Sequence, residues 1–123
     1  MMEKEDFGQH VAQLVRDDGW DDLLALMHGI GLPAGWPEMV KPVFDGYLGK
    51  PVESSIIPAT EIPEHQLVWL RKAPGDIQDG LEFAIKLSYE IVDSGHSEES
   101  GELVLPVIVI DHRWVLLLVG PDA

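Results

Sequence analysis

Apolar residues take every second place along LEFAIKLSYEIV, from Leu81 to Val92. Leu81, Phe83, Ile85, Leu87, Tyr89 and Ile91 alternate with Glu82, Lys86, Ser88 and Glu90. On a helix those apolar groups would spread over every side, so a period of two predicts a strand with one face on the core. Two further strands are predicted at Glu102 to Ile110 and Trp114 to Val119, joined tightly through Asp111, His112 and Arg113. Both are apolar on both faces, which predicts cover from two sides. Pro106 lacks a ladder donor and predicts an edge position or a bulge for its strand.

Before Gly49 the periodicity is helical. Phe7, Val11, Leu14 and Val15 form one stripe and predict a helix from Lys4 to Asp17. Trp20, Leu23, Leu24 and Met27 form a second, predicting a helix from Gly19 to Gly29. Gly31, Pro33 and Gly35 mark a loop. Trp36, Met39, Val40, Val43, Phe44 and Tyr47 give a third stripe, with a helix from Pro37 to Leu48 and a kink or late start at Pro42. Residues 50–65 read as an extended connection with a short strand at Ser55 to Ile57. HQLVWLRK, His65 to Lys72, reads as a strand, and APGD as a turn. The fold class expected is α+β, in one domain. Three N-terminal helices, within residues 4–49, pack on a C-terminal antiparallel meander of four to five strands, within residues 54–120. Leu24, Phe83, Leu87, Val107 and Leu117 are expected in the core.

Charge changes the picture more than composition does. Eight Lys and Arg face 22 Asp and Glu, a formal net charge of -14. Such a field repels nucleic acid and anionic membrane and attracts basic partners. From Asp17 to Val40 there are five acids, and from Leu87 to His112 six, with no Lys or Arg in either segment. The absence of cysteine excludes disulfides, thiolate metal sites and cysteine nucleophiles. MMEKEDFGQH is too polar and acidic for a signal peptide, and LVLPVIVI is too short to span a bilayer. A cytoplasmic location is the expectation.

RDDGWDD, Arg16 to Asp22, is the densest acidic run. Its spacing fails as a calcium loop: counting from Asp17, the third place is Gly19 and the twelfth His28. Asp18 and Asp21 are expected to cap the second helix, leaving Asp17 and Asp22 free to meet a partner. His10, His28, His65, His96 and His112 form no metal-binding spacing. Asp111 beside His112 has the composition of an acid–base pair, but neighbours on a tight turn point apart. No GxSxG elbow, Walker loop, GxGxxG or basic patch with interleaved aromatics is present. No catalytic residue, cofactor or metal is therefore expected. Trp20 and Trp36 lie on helix stripes, while Trp69 and Trp114 are placed beside an open sheet face as interface anchors.

In size, charge and lack of catalytic motifs the chain is similar to bacterial immunity proteins and other small cytosolic inhibitors. That resemblance rests on no diagnostic residue. It implies a non-enzymatic inhibitor that neutralises a basic toxin or nuclease-like partner by protein–protein contact. The candidate contacts are Asp17, Asp18, Asp21, Asp22, Glu98, Glu99, Trp69 and Trp114. Three other readings stand beside it. One is a phage-type DNA mimic. Another is a small enzyme or ligand-binding domain with Asp111, His112 and another histidine around a pocket. The third is a secretion chaperone or adaptor. A homodimer is one way to cover the doubly apolar strands.

Overall fold

The computed structural model describes residues 2–120. Its class is α+β: a five-stranded mixed sheet with five α-helices among the described residues. The first helix, α1 (Lys4–Arg16), buries Phe7, Val11 and Val15, three places on one stripe. It ends where Asp18 N–H reaches Val15 O (3.2 Å) and Gly19 N–H reaches Leu14 O (2.8 Å). This is the Schellman closure, with Asp18 at the left-handed position (φ 57°) that glycine usually fills.

The expected second helix is corrected. Only α2 (Trp20–Leu24) is helical, and Met27–Ile30 forms strand β1, parallel to the last strand. Stripe residues compatible with a helix were available, but the edge of the last strand offers backbone partners. Leu116 N–H donates to Leu26 O and Gly120 N–H to Ile30 O, both at 2.7 Å. Close approach fixes two glycines here. A Cβ on Gly29 would press Trp36 at 3.1 Å, and one on Gly120 would collide with the Gly31 carbonyl. Leu23 takes the core position and Leu24 is only half-buried, contrary to expectation.

The third helix, α3 (Trp36–Asp45), continues through Pro42, which leaves Glu38 O without its usual helical donor. Strand β2 (Glu53–Pro58) and a single 3₁₀ turn (Ala59–Glu61) lead to α4 (Glu64–Leu70). The strand expected at His65 to Lys72 is thus a helix. Pro63 precedes its first turn, Arg71 bonds back to Glu64 at 2.8 Å, and Leu67 and Leu70, three places apart, face the sheet. Val68 and Trp69 remain exposed, so the apolar groups lie on two sides and no single helical stripe is visible in the sequence. The APGD turn is likewise followed by a short helix, α5 (Gly75–Asp79).

Strands β3 (Leu81–Asp93), β4 (His96–Ile110) and β5 (Arg113–Val119) complete the sheet in the order β1-β5-β4-β3-β2. From β2 to β5 it is an antiparallel meander; the parallel β1 makes it mixed. Phe83, Ile85, Leu87 and Tyr89 of β3 meet α1, α2 and α3 on one face, whereas Leu81, expected with them, lies beyond a register shift and packs on the other. Ala84, Val104, Ile108, Val115 and Leu117 meet α4 and α5 on the other. The doubly apolar strands are therefore covered on both faces within the chain, and Phe83, Leu87, Val107 and Leu117 are buried as expected. No helix among the described residues is long and apolar enough to cross a membrane.

Pro106 corrects one expectation and explains itself. Its strand, β4, is central in the sheet order, yet Pro106 itself falls on a stretch whose β5 side is open, so the edge expectation holds locally and not for the strand. The β4–β5 turn consists of Asp111 and His112, both at positive φ, so Ile110 and Arg113 form the closing hydrogen-bonded pair. Even-numbered residues of β4 thus direct their backbone groups towards β5. The β4–β5 ladder stops at Val107, so Pro106 sits where a donor on that side has no strand to meet.

Candidate functional site

Beyond Pro106, β5 turns away to pair with β1, and β4 runs on beside β3 alone. Two consequences follow. A groove of ≈ 220 Å³ opens over this fork, between α3 and α4, and Val40, Val43, Trp69, Leu103, Leu105 and Leu118 line it. Trp69 is 42% exposed and Val43 55%. Lys72 Nζ stands 4.7 Å over the Trp69 ring. The freed edge of β4 is closed by side chains. Tyr47 Oη donates to Glu102 O (2.8 Å) and Gln66 Nε2 to Val104 O (2.9 Å), next to the donor-free Pro106.

Towards its tip the β3–β4 hairpin becomes an exposed arm, closed by Ser94 and Gly95 at positive φ. At its base Glu99 accepts hydrogen bonds from Lys50 Nζ (3.0 Å) and Tyr89 Oη (2.9 Å). The Lys50 bond first, then the Tyr89 bond, hold the Glu99 carboxyl below its ordinary value. Burial, then the bond to Glu99, push the Tyr89 phenol up. Gly101 lets the two tyrosines close over the strand, since a Cβ there would lie 2.7 Å from Tyr89 and 3.1 Å from Tyr47. Glu102 pairs with Lys86 at 3.3 Å. Further out, Glu90 and Glu98 have no cation partner among the described residues. Glu98 is the extra residue of a bulge, because Ile91 pairs with Glu99 and Val92 with Ser97.

The other expected contacts fall elsewhere. Asp17, Asp18, Asp21 and Asp22 are all exposed at the α1–α2 junction. The capping role expected of Asp18 is corrected: the residue before α2 is Gly19 and no side chain caps that helix. Asp18 instead turns the chain, and Asp17 accepts a bond from Gln13 Nε2 at 2.8 Å. Trp114 does not flank an open face. Its Nε1 donates to Met2 O (2.8 Å), and its ring meets Phe83 edge-on at 5.1 Å, beneath α1. Trp69 and Trp114 thus belong to opposite faces of the sheet.

Asp111 and His112 are the two turn residues of the β4–β5 hairpin. His112 borders a depression of ≈ 260 Å³ that His10 of α1 also borders, while Asp111 does not line it. No group of three or more His, Asp or Glu is placed to hold a metal among the described residues. Sequence reasoning missed Val43, Tyr47, Lys50 and Gln66. Tyr47 and Gln66 act on β4 across 55 and 38 residues, and no local pattern carries that information. Comparison with protein-family models, curated proteins and solved structures returns no match.

Proposed function

We propose that this chain is a non-enzymatic, cytoplasmic binding protein that neutralises a basic protein partner, as inhibitors of the immunity type do. One observation carries the reading. A single strand, β4, supplies the floor of an apolar groove at Leu103 and Leu105 and then continues into an arm whose Glu98 is unneutralised. Exposed Trp69 and Val43 beside the groove provide anchoring area of the kind that dominates protein interfaces. Carboxylates along the arm steer a cationic partner and fix its orientation. Glu99 is less available than Glu98, because it is already committed to Lys50 and Tyr89. The acids of the α1–α2 junction add to the long-range field.

The test is photo-crosslinking in the native cell, with p-benzoylphenylalanine placed singly at Val43, Glu98 or Asp21. A basic protein captured from Val43 and from Glu98, with the Val43 capture lost in a Glu90→Lys, Glu98→Lys background, is the expected result. Capture from Asp21 alone moves the interface to the α1–α2 junction. A captured partner that is itself acidic contradicts the reading.

A further inference from the structure

Of the eight Lys and Arg, four are paired with carboxylates: Lys41, Lys50, Arg71 and Lys86. Lys4 and Arg113 are not, among the described residues, and both stand near the depression between α1 and the β4–β5 turn. Its apolar wall is formed by Phe7, Leu26 and Trp114, and its polar rim by His10, His112 and Arg113. Lys4 lies 5.3 Å over Phe83, the ring on which Trp114 rests. Among the described residues no acid is bonded to these cationic and hydrogen-bond-donating groups, although Glu3 and Glu5 flank Lys4 in the chain. Asp6 and Asp111, the acids nearest in sequence, make no hydrogen bond or ion pair to His10, His112 or Arg113. A volume of ≈ 260 Å³ is slightly below the roughly 300–1,000 Å³ of sites for drug-sized ligands, so the space suits about one ring.

We infer that this depression binds a small amphipathic organic anion, such as an aryl carboxylate. The ring lies against Phe7, Leu26 and Trp114. The carboxylate accepts hydrogen bonds from the Arg113 guanidinium and from an imidazole N–H of His10 or His112. This site is separate from the groove and the arm, and it stands whether or not they bind a protein.

Amide and indole resonances of the full chain, followed by nuclear magnetic resonance, test it with phenylacetate as probe. Phenethylamine, the same ring with the opposite charge, is the control. Phenylacetate is expected to shift Phe7, His10, Leu26 and the Trp114 indole saturably, in the millimolar range suited to a ligand of about ten heavy atoms. Phenethylamine is expected not to. Combining Arg113→Gln with His112→Asn, a residue that tolerates the left-handed turn, should weaken phenylacetate about tenfold. Ala25→Trp on the lining should block it by filling the space while leaving the rim intact. The inference is overturned if phenethylamine binds equally, or if phenylacetate leaves these resonances unmoved. It is equally overturned if both folded variants keep full affinity.

Discussion

Asp18 occupies a backbone conformation that L side chains adopt at a cost, at a place where helices usually carry glycine. Asp18→Gly should therefore raise stability by about 0.5–1 kcal/mol, seen as a rise of roughly 2–4 °C in Tm. A fall would mean that the carboxylate has a structural duty after all. Phe83 is buried against α1 and Trp114, and Phe83→Ala should cost about 3–5 kcal/mol in denaturant unfolding. Glu99 and Tyr89 shape the pH profile from opposite sides. The depressed Glu99 pKa contributes stability above the ordinary carboxylate range, lost as pH falls through the folded-state value. The raised Tyr89 pKa contributes stability below the phenol's ordinary 10.0, lost as pH rises through the folded-state value. Unfolding midpoints of wild type and Glu99→Gln should accordingly differ at neutral pH and converge in acid.

At the scale of elements, β4 is an interior strand at one end and half-paired at the other, and side chains from α3's trailing loop and α4 close the gap. Tyr47→Phe with Gln66→Ala frees the Glu102 and Val104 carbonyls for another strand. The double variant should self-associate at concentrations where wild type does not, measured by sedimentation. Unchanged sedimentation would mean that Pro106 and the charged arm suffice. These elements were legible to different degrees. The alternation at Leu81 to Val92 and the stripe of α1 were plain, because α1 buries one stripe and the large side chains of β3 from Phe83 to Tyr89 enter one core, with the small Ala84 the buried exception on the other face. HQLVWLRK was misread because exposed Val68 and Trp69 blur the stripe of Leu67 and Leu70. MHGI was misread because its structure depends on a partner strand 89 residues later, Met27 lying opposite Leu116. The acid count was legible, but the division of labour was not. Glu98 and Glu99 are neighbours, yet Lys50 and Tyr89 engage only Glu99.

At the scale of the whole molecule, a net charge of -14 sits on a sheet covered on both faces, and the proposed partner surface joins that field to the groove at the β4–β5 fork. A captured basic partner makes the central claim directly measurable, through its association rate with wild type and with Glu90→Lys, Glu98→Lys at low and high ionic strength. For wild type the rate should fall by roughly tenfold or more as salt screens the carboxylates. The double reversal should lower the low-salt rate and flatten the salt dependence, with stability unchanged. Equal rates for the two proteins, or a wild-type rate indifferent to salt, would contradict a partner guided by the arm.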